Sequence, residues 1–199
     1  MKLVVLGMKK FSLLILFCYS AICFSQSKNE KEERIDSSDF PEIAIRYFSD
    51  ISNQIKNLRF FRESDGQKKS FEAKFKLKKL HYSIEFDTIG KLEDIEILIR
   101  EKDIPKDVFK KMMAYYTLNF DKVRHIKIQK QYINVSQIID QEFINSVIKN
   151  SSELHTHFEI IAEVTLKKER FLKEFTFKST GIFEKSRPIS SGSYEYAFY

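Results

Sequence analysis

Residues 71–92, FEAKFKLKKLHYSIEFDTIGKL, alternate apolar and polar side chains in two runs separated by a pair of lysines at 78–79. An alternation with period two is typical of β-strands that pack one face and leave the other in water. The lysine pair marks the first turn. Gly90, four residues after Phe86, marks a second turn that needs a positive φ. The stretch therefore predicts consecutive antiparallel strands of a meander, the last beginning at Leu92.

The chain has two similar halves. Each half begins with a proline that opens a helical pattern, Pro41 and Pro105, where a missing backbone N–H costs nothing. A short β-like segment follows each helix, at residues 58–61 and 123–128. Phe158 then opens a strand pair like the one described above. The duplication predicts an α+β fold of two tandem units, each with one helix packed on a four-stranded antiparallel meander sheet.

The predicted organisation has four parts besides the extreme N-terminus. The two units span residues 40–101 and 102–189. The second carries an insert at about 129–157, whose apolar spacing favours an extra helix over a long loop. Residues 26–39 are polar and charged, which predicts a disordered leader. The tail 190–199 alternates aromatic side chains, which favours a strand added to an edge of its own sheet over one added to a partner.

The N-terminus predicts export. A pair of lysines at 9–10 precedes an apolar run at residues 11–24, and Ser25 supplies a small residue at the end. This layout is typical of a secretory signal peptide, and the run is shorter than the roughly 20 apolar residues of a membrane span. We therefore assign residues 1–25 as a signal peptide, with Met8 favoured as the true start. The mature chain is expected in the periplasm or outside the cell, without a stable membrane span.

Removal of the signal peptide changes what the composition permits. Both cysteines, Cys18 and Cys23, leave with it, which excludes disulfides, thiol catalysis and thiolate metal sites from the mature chain. Three lysines and no acidic residue also leave, so the net charge falls from +6 to +3. An exported chain with nearly balanced charge is not expected to bind nucleic acid.

Three short phrases carry a resemblance to a known family. They are YSIEFDTIGKL at residues 82–92, the Ile-Pro pair at 104–105 and VRHI at 123–126. Together they resemble the PepSY-like proteins exported by Bacteroidetes, which are related in fold to the β-lactamase-inhibitor-protein repeat. The resemblance covers roughly residues 40–187 and implies an envelope binding or inhibitory module without catalytic residues. The long insert and the aromatic tail depart from the family pattern.

No motif for catalysis is present. The sequence has no nucleophile elbow, zinc helix, phosphate loop or dinucleotide fingerprint, so we expect neither an enzyme nor a bound cofactor.

His155 and His157 would lie on one side of an extended strand and could begin a metal site. No third ligand stands at a fixed spacing from them, and ordinary surface histidines are the alternative explanation.

Two features are candidates for partner binding. One is a lysine row on a strand face, which could dock acidic partners, although exposed strand lysines also block edge pairing. The other is a pair of hairpin loops near residues 65 and 167–168. The candidate residues are Lys74, Lys76, Lys78, Asp65, Lys167 and Lys168.

These observations predict an exported, non-enzymatic binding module of the cell envelope. It would bind or inhibit a protein partner such as a peptidase. The alternatives are a periplasmic carrier of a metal or small ligand, and a structural component of the envelope.

Overall fold

The structure, a computed structural model, describes residues 27–49, 51–151 and 155–190. The predicted signal peptide lies outside these residues, as does the aromatic tail beyond Ser190. None of the helices in the described ranges is both long enough and apolar enough to cross a membrane.

Nine antiparallel strands form a single sheet in which each strand pairs with its neighbours in chain order. The first five strands are β1 (Glu30–Ile35), β2 (Lys56–Asp65), β3 (Lys68–Leu77), β4 (Leu80–Phe86) and β5 (Leu92–Leu98). The remaining four are β6 (Lys122–Tyr132), β7 (His157–Leu166), β8 (Glu169–Lys178) and β9 (Phe183–Pro188).

Three α-helices lie in the connections between strands. Helix α1 (Glu42–Arg46) follows β1, α2 (Lys106–Asn119) connects β5 to β6, and α3 (Asp140–Lys149) connects β6 to β7. Short 3-10 turns at Ser37–Asp39 and Glu101–Asp103 precede the first two helices. The helices account for a small part of the described chain, so the sheet dominates the fold.

The apolar face of the sheet and the helices together make the core. One cluster of buried side chains joins α1 and α3 to β2–β5, and includes Ala44, Ile84 and Ile95. A second cluster joins α2 to β6–β8, and includes Met112 and Phe175. Each fully buried large apolar side chain contributes about 1.5–3 kcal/mol, so the helices are held mainly by this packing.

The prediction of an α+β fold with two tandem helix-plus-four-strand units is wrong. Strand β5 pairs with β6 through the register Ile95↔Tyr132, which makes the sheet continuous. Helix α3, from the predicted second half, packs Phe143, Ile144 and Val147 into the core cluster of the first-half strands. Because the two halves share both hydrogen bonds and core, they are one sheet rather than separate units.

The leader predicted to be disordered contains an ordered strand. Within residues 26–39, β1 pairs with β2 from Glu30↔Asp65 to Ile35↔Phe60. Glu30 lines the polar cavity, while Lys31 and Glu33 are exposed on the other face, so composition gave no sign of order. The helix predicted inside the insert at 129–157 is present as α3. The connection that contains it starts later than predicted, because β6 continues to Tyr132.

The sheet curls so that its two outer strands meet. The backbone N–H of Lys28 donates to the carbonyl of Pro188 at 2.8 Å, and the N–H of Ser190 donates to the carbonyl of Lys28 at 2.9 Å. These bonds form a parallel bridge between Lys28 and Ile189. Since the helices cover the apolar face, the polar face becomes the inside of the curve.

Candidate functional site

A polar cavity of about 290 Å³ lies inside the curved sheet and is lined by side chains from all nine strands. We call it the acidic cavity, because nine carboxyl groups and only five cationic side chains line it. The strand register brings the acids together. Glu85 stands directly opposite Glu72 on one side and Asp94 on the other. Period-two alternation places all of these side chains on the same face.

One side of the acidic cavity is closed by ion pairs between distant strands. Arg187 on β9 contacts Glu174 Oε1 and Asp65 Oδ2, each at 2.6 Å. Lys28 Nζ lies 2.7 Å from Glu174 Oε2 and 2.6 Å from Glu30 Oε2. Burial opposes ionisation of Glu174, but the charges of Lys28 and Arg187 outweigh it and lower its pKa to about 2. We call these five residues the closing network.

Carboxyl groups in the middle of the acidic cavity favour the protonated form. Burial, followed by the nearby Glu159, raises the pKa of Glu96 to about 8. Burial, followed by Glu174, raises the pKa of Glu159 to about 7. Burial and the charge of Glu85 also raise the pKa of Asp94 well above its usual value. Carboxyl groups crowded away from water retain protons because two neighbouring charges repel each other.

Three further carboxyl groups form a compact trio on adjacent strands. One oxygen from each of Glu63, Glu72 and Glu85 lies within 4.8 Å of the others. Glu63 is only 6% exposed, and its Oε2 has no hydrogen-bond partner. Ser83 Oγ donates to Glu72 Oε1, and Lys74 Nζ lies 3.1 Å from Glu72 Oε2. The trio is therefore bonded on the Glu72 side, while the Glu63 oxygen is left unsatisfied.

A larger groove of about 500 Å³ adjoins the acidic cavity on the same face. Exposed or half-exposed cations line it, together with Leu98, an apolar residue that is 39% exposed. We call this the basic groove. Its cationic side chains are Arg34, Arg59, Lys74, Lys76 and Lys127, against two acids, Glu72 and Glu96. A mixture of apolar and charged side chains is common at protein interfaces.

The predicted lysine row divides between paired and exposed positions. The Lys74 side chain is 15% exposed and contacts Glu32 Oε1 at 2.7 Å. Lys76 is exposed at the basic groove, and Lys78 lies in the turn between β3 and β4 with φ 48°. Two of the three lysines thus line the groove, and they do not form an uninterrupted cationic face.

The two predicted hairpins lie at opposite ends of the strands, because successive turns of a meander alternate between the two ends of the sheet. Asp65 ends β2 and is held by Arg187. Lys167 and Lys168 form the turn between β7 and β8, where the Lys167 N–H donates to Asp121 Oδ2 at 2.8 Å. A partner that contacts the hairpin at Asp65 therefore approaches the opposite end of the strands from one that contacts the hairpin at Lys167 and Lys168.

The two predicted histidines have different neighbours. His155 packs against the ring of Phe158, with centroids 4.7 Å apart, and neither of its ring nitrogens has a hydrogen-bond partner. Burial lowers the pKa of His155 to about 4. His157 Nε2 instead lies 2.9 Å from Glu184 Oε2. A metal site at this pair stays a prediction.

Sequence reasoning missed the acidic cavity. Carboxylates spaced along strands are usually solvated surface groups, so their pattern gave no reason to expect a cavity. The signal lay in the register: once β3, β4 and β5 are aligned, Glu72, Glu85 and Asp94 follow one another across the sheet. Like charges directly opposite each other destabilise a sheet, so such a row points to a special environment.

Solved structures from Bacteroides share this architecture. A DUF2874 family protein from Bacteroides ovatus aligns with a TM-score of 0.52 at 11% identity, covering 77% of this chain and 91% of that one. A BLIP-like protein from Bacteroides fragilis aligns at 0.50 and 13% identity, covering 77% and 89%. This chain has the fold of these Bacteroides proteins.

A third structure, from Bacteroides eggerthii, is provisionally described as periplasmic. It aligns with a TM-score of 0.50 at 9% identity, covering 78% of this chain and 94% of that one. The BLIP-like neighbour supports the predicted relation to the inhibitor-protein fold, whereas these descriptions do not name PepSY. No protein-family model matches the sequence, and no curated protein matches it.

We expect the protein to be most stable near pH 4–5. Acids whose pKa rises on folding weaken the folded state as the pH climbs from their unfolded value, near 4.5, to their folded value. Glu96 and Glu159, with folded values of about 8 and 7, therefore lower the free energy of unfolding between pH 5 and pH 8. Because each pKa unit corresponds to about 1.4 kcal/mol, we expect a loss of several kcal/mol over this range. Glu174 acts in the opposite direction, since its stabilisation is lost below pH 4.5.

Urea unfolding from pH 3 to pH 9, in buffer containing EDTA, measures this profile. A Glu96→Gln variant serves as the comparison, because it removes one of the two groups and should flatten the decline above pH 5. A free energy of unfolding that stays constant or rises between pH 5 and pH 8 would contradict the expectation.

Proposed function

We propose that this chain is an exported, non-enzymatic binding module whose basic groove binds a protein partner in the cell envelope. The observation that carries the proposal is the groove itself, about 500 Å³ on a sheet face that α1, α2 and α3 leave uncovered. The predicted signal peptide supports export, as does the periplasmic description of the Bacteroides eggerthii neighbour.

The partner segment is expected to be acidic with an apolar anchor. Arg34, Arg59 and Lys76 line the groove and are exposed, and Leu98 offers an exposed apolar contact beside them. Exposed arginine and lysine accelerate association with acidic surfaces, while buried apolar contacts supply much of the binding free energy. The BLIP-like neighbour supports the finer proposal that the partner is an envelope enzyme, such as a peptidase, which the module inhibits.

Affinity capture with residues 26–199 as bait tests this proposal. The face variant carries Arg59→Glu and Lys76→Glu, two exposed changes that should leave the fold intact. The control carries Lys106→Glu and Lys110→Glu, which make the same change in net charge on exposed positions of α2. We expect one envelope protein to be retained by the wild type and the control, competed by free bait, and reduced about tenfold with the face variant.

The retained protein should also be released more readily at high salt, because exposed charge pairs are screened. Equal retention by the face variant would overturn the groove as the binding surface. The absence of any specifically competed protein would overturn the proposal of a protein partner.

A further inference from the structure

We propose that Glu63, Glu72 and Glu85 form a calcium site in the acidic cavity. The site goes beyond the partner-binding role, since it uses carboxyl groups of the acidic cavity, of which only Glu72 also lines the groove, rather than the groove's cations.

The geometry suits one shared ion. The three side chains come from β2, β3 and β4, and Glu72 stands directly opposite Glu85 in the register. One oxygen from each lies within 4.8 Å of the other two. Calcium binds oxygen at 2.3–2.6 Å, so two of its ligands can be up to about 5 Å apart. A single calcium ion can therefore contact all three carboxyl groups.

A second observation points to a missing ligand. Glu63 is 94% buried and lines the cavity, yet its Oε2 has no hydrogen-bond partner. Asp94, opposite Glu85 on β5, also has an oxygen, Oδ1, without a partner. Buried polar atoms are nearly always hydrogen bonded, because an unsatisfied one keeps the full cost of leaving water. Both residues line the same cavity, and a cation bound by the trio would satisfy the Glu63 oxygen.

The neighbouring cations pair with Glu72 and Glu85 but leave the Glu63 carboxyl group without a compensating charge. Lys74 Nζ lies 3.1 Å from Glu72 Oε2, and Lys68 Nζ lies 3.8 Å from Glu85 Oε2 and 2.7 Å from Glu93 Oε2. No ion pair joins Glu63 to a cation among the described residues. A divalent ion would balance the excess acid that the lysines do not.

The donor set selects the metal. Carboxylate oxygens without nitrogen or sulfur favour calcium, magnesium or manganese over zinc and copper. Magnesium demands near-ideal octahedral geometry and retains several waters, whereas calcium accepts more oxygen ligands in a flexible geometry. Three carboxyl groups from adjacent strands, with further acids lining the same cavity, therefore fit calcium better than magnesium.

Calcium titration of the mature chain, residues 26–199, tests the site. The loss variant is Glu63→Gln, and the control is Glu33→Gln, an exposed position on β1. Calcium chloride up to 5 mM at pH 7.5 is added to metal-free protein while heat and thermal unfolding are recorded. We expect the wild type and Glu33→Gln to bind, with a Tm that rises by several degrees. Glu63→Gln should bind at least about tenfold more weakly.

Binding should also release protons, because carboxyl groups must ionise to coordinate the ion. The measured heat is therefore expected to depend on the ionisation enthalpy of the buffer. An unchanged Tm at 5 mM calcium would overturn the site, as would an equal response in Glu63→Gln. A larger response to magnesium would overturn the choice of metal. These outcomes do not bear on capture by the basic groove, so the two proposals can fail separately.

Discussion

Replacing Gly181 with alanine is expected to destabilise the protein by about 3 kcal/mol. Gly181 lies between β8 and β9 with φ +83°, a conformation that costs an L-residue about 1 kcal/mol. An added Cβ would also stand 2.6 Å from the carbonyl oxygen of Val108 in α2. Because that atom is backbone, α2 would have to move away from the sheet, and overpacking of this kind typically costs 1–3 kcal/mol.

Gly66→Ala is the matched control, since Gly66 has φ +62° but no atom within 4 Å of an added Cβ. It should lose only the conformational part, about 1 kcal/mol. Chemical denaturation of both variants measures the difference. Equal losses would show that α2 does not approach the turn between β8 and β9 as closely as described.

Replacing Glu174 with glutamine is expected to cost about 3 kcal/mol at pH 7. The change keeps the shape of the side chain but removes the charge that contacts both Lys28 and Arg187. Removing one partner of a buried ion pair typically costs 3–5 kcal/mol. The loss is expected at the lower end, because Glu30 and Asp65 continue to contact these two cations.

Glu163→Gln provides the comparison, because Glu163 lies on β7 and contacts Arg124 at a more exposed position. It should change the free energy of unfolding by less than about 1 kcal/mol. The Glu174→Gln variant should also show a smaller decline in stability between pH 4.5 and pH 2, since Glu174 is one of the carboxyl groups whose pKa is lowered on folding. A wild-type acid profile in the variant would contradict the assignment.

The strands could be predicted from sequence because their alternation is local. Positions 71–77 and 82–86 lie in β3 and β4, as their period-two pattern predicts. The way the halves join could not be predicted, because strand patterns show which face is buried but not which edges pair. β1 was missed because it has no apolar stripe: Glu30 lines the polar cavity, and Lys31 and Glu33 on the other face are exposed.

The candidate site was only partly visible in the sequence. The lysine row at positions 74, 76 and 78 could be predicted, because alternate charges along one strand are a local pattern. The carboxyl trio joins positions 63, 72 and 85 on three strands, and Arg187 joins positions 65 and 174. These contacts depend on register and on curvature of the whole sheet, which no short window of sequence contains.

The bridge between Lys28 and Ile189 also has a consequence for how the molecule is made. It joins residues about 160 positions apart, so it is among the contacts with the largest loop-closure cost. A chain emerging from its N-terminus can pair β1 with β2 early, but the bridge must wait for the last strand. The ring of strands around the inner face can therefore close only after β9, the last strand, has been made and has paired.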